Sequence, residues 1–190
     1  GSEMCIRDSY YTEKNSAGKV SILEIGFGTG LNALVTFLDA RTKNLEIDYT
    51  GVEAYPVPSE ELEHLNYATC FKEEELARET FSKIHEKLWT EKGEVSEGFQ
   101  LTKQEKFFKD INDSEAFDLI YFDAFGPRVQ PELWTEEIFK KMFKALRSQG
   151  ILVTYSAKGD VRRAMQAVGF EVERIPGPPG KREMLRALKP

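Results

Sequence analysis

The sequence predicts an α/β protein built on one doubly wound, mostly parallel sheet with an antiparallel strand at its C-terminal end. Three observations predict it. Short apolar runs alternate with amphipathic stretches along the 190 residues, the pattern of strands joined by crossover helices. The first apolar run leads directly into three closely spaced glycines, Gly26, Gly28 and Gly30. The last two apolar runs flank Pro-Gly-Pro-Pro-Gly at 176–180, which reads as a stiff loop between paired strands.

The elements follow in order. Val20 to Ile25 is a β-rich strand, and Leu31 to Arg41 an amphipathic helix. Ile47 to Glu53 forms the second strand. Glu60 to Leu88 carries apolar residues at helical spacing and reads as two helices broken near Tyr67 to Phe71. A weak strand at Phe99 to Thr102 precedes a short helix at Glu105 to Ile111. Phe117 to Phe122 is a buried strand. A loop holding Gly126, Pro127 and Pro131 leads to a helix over about Glu136 to Arg147. Gly150 to Tyr155 is a strand, Gly159 to Val168 a helix, and Phe170 to Ile175 and Glu183 to Leu188 close the sheet. Residues 20–190 read as one domain, a length that suits a single core. Before it, Gly1-Ser2 reads as an expression scar, and residues 3–19 as an aperiodic, partly ordered segment.

Composition narrows the class. The chain is 41% hydrophobic and 31% charged, as in ordinary globular proteins. No apolar run approaches the roughly 20 residues of a membrane span, and no secretory signal is visible. Cys5 and Cys70 stand without metal-spaced partners, so no metal site is expected, and free thiols fit a reducing cytoplasm. His64 and His85 lie in a charged helical region, and both read as parts of a solvated face. The net charge of -6 is unevenly spread. Residues 140–190 hold 12 Lys and Arg against 4 Asp and Glu, a local +8, which leaves -14 for residues 1–139. A basic C-terminal third suits either phosphate contacts or a solubilising surface.

The strand, glycine turn and helix from Ile22 onward suit a nucleotide-like cofactor. Glycines let a ligand approach the backbone closely, and the helix N-terminus offers unpaired N–H groups. The dinucleotide fingerprint would require glycine at Leu31, so the spacing excludes it. Glu24, two residues before the first glycine, instead resembles the pattern of S-adenosylmethionine-dependent methyltransferases. Glu53 ends the second strand and can accept ribose hydroxyls. Asp123 stands at the carboxyl end of a hydrophobic strand, where it can hold an incoming amine or take its proton. Phe125 and Tyr121 can pack on the cofactor or substrate, since an aromatic face stabilises a sulfonium cation; core packing is the other reading of Phe125.

Several segments in order make the resemblance specific: Ile22 to Asn32 around the glycines, Tyr49 to Pro56, Phe122 to Pro127, Pro131 to Thr135, Thr154 to Ala157, Val161 to Arg163, Val168 to Phe170, and Gly180 to Met184. From about Tyr10 onward the chain resembles the methyltransferase domain of the MnmC family, which finishes a wobble-uridine modification of certain bacterial tRNAs. The resemblance implies a Rossmann-like methyltransferase fold, S-adenosylmethionine as cofactor, and methylation of the primary amine of 5-aminomethyl-(2-thio)uridine. It puts Glu24, Gly26, Phe27, Gly28, Gly30, Asn32, Glu53 and Phe125 at the cofactor, with Asp123 at both cofactor and reacting amine. Glu105 takes the place of the acid that reads adenine in many methyltransferases. Ahead of the first strand, Tyr10-Tyr11-Thr12 resembles the start of a longer segment in the family. The implied partner is the tRNA anticodon loop, with Arg128, Lys158, Arg162, Arg163, Lys181 and Arg182 as phosphate contacts. Trp134 would stack on an exposed base or pack in the core beside Pro131. A separate enzyme would supply the aminomethyl precursor. Because the chain ends at Pro190, a stand-alone cytoplasmic methyltransferase is expected. A methyl- or aminopropyltransferase for a small amine, and a non-catalytic binding module of the same fold, are the alternatives.

Overall fold

The computed structural model describes residues 18–177, 180 and 183–190. Gly1-Ser2, Cys5, the Tyr10-Tyr11-Thr12 motif, part of the Pro-rich loop, Lys181 and Arg182 lie outside the described residues.

Eight strands form one sheet in the order β3-β4-β2-β1-β5-β6-β8-β7. Strand β1 is Lys19–Ile25, followed by helix α1 (Leu31–Thr42) and β2 (Glu46–Glu53). Helix α2 (Ser59–Leu62), a 3-10 turn (Tyr67–Cys70) and α3 (Glu74–Glu86) lead to β3 (Lys92–Ser96) and β4 (Phe99–Glu105). After β5 (Phe117–Phe122) come α4 (Glu136–Ala145), β6 (Leu146–Thr154), α5 (Gly159–Ala167), β7 (Glu171–Pro176) and β8 (Glu183–Leu188). Strands β4, β2, β1, β5 and β6 run parallel, while β3, β8 and β7 pair antiparallel at the two edges. The fold is thus the expected doubly wound sheet with an antiparallel C-terminal end.

Parallel strands need crossovers, and the crossovers cover both faces. Leu34, Phe37 and Ile84 of α1 and α3 pack with Ile22, Tyr49, Phe99 and Leu101 in one core layer. Phe139 and Met142 of α4 and Val161 and Met165 of α5 pack with Ile25, Phe122 and Leu152 in the other. The chain leaves β1 toward β2 on one side, and β5 lies on the other, so the strand order reverses at β1. A crevice opens outside the carboxyl ends at such a switch point.

Two local expectations are corrected, and one strand is added. Glu105 to Ile111 is not a helix. The β4 ladder runs to the Glu53–Glu105 pair, and the remainder makes only a 3-10 turn at Phe108–Asp110, too short to sustain an α-helix. Helix α4 stops at Ala145 rather than Arg147, because Leu146 already pairs with Phe117 in the sheet. Strand β3 was not anticipated; it is held antiparallel to β4 across a turn at Gly98, φ 74°.

Candidate active site

The glycine turn follows β1 and is fastened to β2. Gly26 and Phe27 both donate backbone N–H bonds to the Val52 carbonyl, at 3.0 and 3.1 Å. Gly26 has φ +87°, and a Cβ there would lie 2.8 Å from the Asp123 carbonyl oxygen. That close passage of two chains requires glycine. Gly28, φ +51°, has nothing within 4 Å of where its Cβ would stand; the space belongs to a cavity of about 900 Å³. Gly30 is the N-cap of α1 and has no side chain to cap it, leaving N–H groups at the helix start open to a ligand.

Glu53 caps the turn from the end of β2. Its Oε2 accepts from Gly28 N at 3.1 Å, and its Oε1 from Ala54 N at 2.9 Å and Tyr55 N at 3.1 Å. A carboxylate offers about four acceptor positions, so one remains after these three bonds. The acid therefore holds the turn's shape and retains some capacity for a hydroxyl.

Glu24 is buried at 1% exposure. Its Oε1 accepts from Asn32 Nδ2 at 2.7 Å and its Oε2 from the Tyr49 hydroxyl at 2.9 Å. Burial pushes its pKa up to about 8, although both hydrogen bonds pull the other way. Neutral Glu24 is thus the dominant form at neutral pH. The Asn32 amide also donates to Asp123 Oδ2 at 3.0 Å, so a single side chain ties the buried acid to the half-buried one. Among the described residues nothing donates to the buried Asn32 Oδ1; such an acceptor suits a donor from a ligand or a water.

Glu24, Gly26, Phe27, Gly28, Asn32, Glu53, Asp123 and Phe125 all border this cavity. Gly30 supports it from the helix start. Glu105 is exposed and does not border it; Phe107, Phe108 and Lys109 form that edge instead. Tyr121 faces the core beside Tyr49, with ring centroids 6.3 Å apart, and does not reach the cavity. Trp134 is likewise removed from any base-stacking role. It is 6% exposed, packs against Phe122, and donates Nε1–H to the Phe125 carbonyl at 2.8 Å, which fixes the loop bearing Phe125. Arg128 and Arg163 are exposed, and Lys158 and Arg162 half-buried, on loops and helix α5 beyond the same strand ends.

Three tyrosines were not picked out from the sequence. Tyr49 bonds Glu24, Tyr67 pairs its hydroxyl with Thr29 Oγ1 at 3.1 Å, and Tyr155 donates to the Ala124 carbonyl at 2.8 Å. A usable signal existed for Tyr155, which follows the end of β6 on the edge where such sites gather. His85 is also not part of a solvated face: its Nε2 meets the Thr29 carbonyl at 3.2 Å, and its ring packs on Phe81. His64 is exposed, as expected. Among the described residues no cluster of three metal-ligating side chains occurs, and no helix is long and apolar enough to cross a membrane.

Comparison with known proteins agrees with this geometry. A family model described as S-adenosyl-L-methionine-dependent methyltransferase matches residues 74–190. The tRNA 5-methylaminomethyl-2-thiouridine biosynthesis bifunctional protein MnmC of Actinobacillus pleuropneumoniae is 30% identical over 195 residues, covering 89% of this chain and 27% of that protein. Its namesake in Aromatoleum aromaticum is 33% identical over 175 residues, covering 87% and 27%. The chain spans about a quarter of the length of these curated relatives. The crystal structure of MNMC2 from Aquifex aeolicus superposes with a TM-score of 0.70 at 20% identity, over 94% of this chain and 56% of that one, which shows the shared fold. The open space at Gly28, the helix start behind it and the Asn32 acceptor fit a nucleoside cofactor with an amine-bearing tail. With the family model matched over more than half its length, the chain belongs to the S-adenosyl-L-methionine-dependent methyltransferases and uses S-adenosyl-L-methionine as its cofactor.

Proposed function

We propose that the enzyme methylates the primary amine of a 5-aminomethyl-(2-thio)uridine at the wobble position of tRNA. The observation that carries this reading is Asp123, half-buried at the cavity wall and held by Asn32, in a chain similar to the MnmC proteins over most of its length. The cavity, about 900 Å³, is at the upper end for ligand sites, which leaves room for a nucleoside beside the cofactor. When bound, S-adenosyl-L-methionine supplies an electrophilic methyl group. The acceptor must present a neutral amine lone pair. Asp123 orients that amine and stabilises its developing positive charge; alignment of the reactants accounts for much of the gain. An ordinary aspartate is a weak base, so the orienting role is favoured over full proton abstraction.

Arg128 follows β5 in the chain, and Lys158, Arg162 and Arg163 follow β6; we assign them to phosphates of the anticodon loop. The aminomethyl group would come from a separate enzyme. A second reading, a small free amine as substrate, is favoured by the acids bordering the cavity, Glu53, Asp123, Glu132 and Glu137. The test is methyl transfer to tRNA from cells lacking the modification, run beside free polyamines. Incorporation into the tRNA supports the first reading; incorporation into polyamines alone overturns it.

A further inference from the structure

A second cavity of about 610 Å³ lies between the glycine turn and helix α3. Among the described residues it shares only Phe27 and Gly28 with the first. Its charged floor is Lys103, from the interior of β4, on the face where Phe99 and Leu101 fill the core, and only 2% exposed. The Nζ lies 3.4 Å from the His85 carbonyl oxygen and 5.2 Å from the centre of the Trp89 ring. Burial lowers its pKa to about 8, and among the described residues no carboxylate acts against that shift. A buried ammonium without a counter-charge is unfavourable, and an anion in the cavity would relieve it.

Three aromatic rings, Phe27, Phe81 and Trp89, stand among the remaining walls, beside polar Ser59, Asn66 and Ser82. Trp89 meets Phe27 edge to face at 6.0 Å, and Phe81 packs on His85 at 4.5 Å. The acids of the cavity, Glu63 and Glu86, are exposed, and the exposed Arg78 bonds Glu74. The cavity is thus cationic in its depth, aromatic on its sides and mixed in charge at its mouth. His85 also touches the glycine turn through the Thr29 carbonyl.

We propose that this cavity binds a small anion carried on a flat ring, the anion against Lys103 and the ring against Trp89 and Phe81, and that occupancy is felt at the cofactor turn through Phe27 and His85. Reciprocal coupling between the two sites follows from linkage.

Calorimetric titration of the full chain with phenyl phosphate, inorganic phosphate and phenol tests it. Phenyl phosphate is expected to bind at least tenfold tighter than either fragment and to remain bound with S-adenosylhomocysteine present. Lys103→Met is expected to weaken it at least tenfold. Saturating phenyl phosphate is expected to shift the S-adenosylhomocysteine dissociation constant at least threefold. Failure of the wild-type chain to bind phenyl phosphate, binding no tighter than phosphate, displacement by S-adenosylhomocysteine, or unchanged binding by Lys103→Met each overturns the site. An unchanged S-adenosylhomocysteine constant overturns the coupling. Failure of S-adenosylhomocysteine to bind the chain alone would strike at the cofactor assignment and leave this cavity's test intact.

Discussion

Asn32 donates from one amide nitrogen to Glu24 at 2.7 Å and to Asp123 at 3.0 Å, so the two acids of the cavity wall share a donor. Their roles differ because their burial differs. In the proposed reaction Asp123 meets the acceptor amine, and Asp123→Asn is expected to cut turnover by about 100-fold or more. Binding of S-adenosylhomocysteine should stay within about threefold of the wild type, since the substitution keeps the side chain's shape. Steady-state kinetics beside calorimetry checks this, and full turnover by the variant would remove Asp123 from the chemistry. Glu24 is instead read through stability. Its folded pKa, about 8, lies above the ordinary 4.5. Stability from its retained proton is therefore full below pH 4.5 and is lost as pH rises toward 8. His85 acts oppositely: burial, and then Lys103, lower it from 6.5 to about 4, so its contribution is lost as pH falls through that range. Between pH 6.5 and 8 Glu24 acts without His85. Glu24→Gln should flatten the decline of the denaturant midpoint in that window; an unaltered decline would contradict the buried, protonated form. Glu24, Glu53 and Asp123 could be picked out in the sequence because each sits at a fixed offset from a glycine or a strand end. Tyr49 and Tyr67 could not, because their hydroxyls arrive from a strand interior and a 3-10 turn that carry no local signature.

The turn between β1 and α1 is the element on which the site depends, and its glycines have separable duties. At Gly26 an added Cβ would press on the Asp123 carbonyl with φ at +87°, so Gly26→Ala should destabilise the fold by about 2 kcal/mol or more. At Gly28 the same addition meets open space at φ +51°. It should cost only about 1–2 kcal/mol of stability, while cofactor affinity falls at least about tenfold, or 1.4 kcal/mol, as the methyl intrudes on the cavity. Paired denaturation and calorimetry distinguish the two, and equal effects on both readouts would refute the division. The loop after β5 is fixed by Trp134 through the Phe125 carbonyl; Trp134→Phe should lose about 1 kcal/mol from that hydrogen bond. The elements read most accurately from the sequence were the buried parallel strands, where burial on both faces writes a continuous apolar run. Lys92–Ser96 escaped because it is a charged edge strand whose register slips between Glu94 and Ser96. The end of α4 was missed because Leu146 serves helix periodicity and strand pairing equally, and only its pairing with Phe117 decides.

Charge separates along the whole molecule, with -14 in residues 1–139 and +8 in residues 140–190. Part of the positive excess is neutralised by the earlier segment, where Asp118 holds Arg147, while Arg174 and Arg186 pair with Glu183 and Glu173, acids already counted in that balance. No sequence count reveals that, because the pairs form across strands. Arg128, Lys158, Arg162 and Arg163 are the basic residues we place against phosphates. If they contact a single-stranded loop, log affinity for tRNA should fall with log salt at a slope of about -3, and Arg128→Ala should reduce that slope by about 0.7. Filter binding over a salt series checks it, and a flat dependence would detach these residues from the nucleic acid. Methyl transfer to one amine on one nucleoside is the activity proposed for the enzyme. Its most direct measurement is mass spectrometry of nucleosides digested from unmodified-amine tRNA after incubation with the enzyme and S-adenosyl-L-methionine. In the proposed reaction 5-aminomethyl-(2-thio)uridine gains a single methyl group on its side-chain nitrogen, and Asp123→Asn largely abolishes this gain. A methyl group on any other nucleoside, or none with the wild-type enzyme, would contradict it.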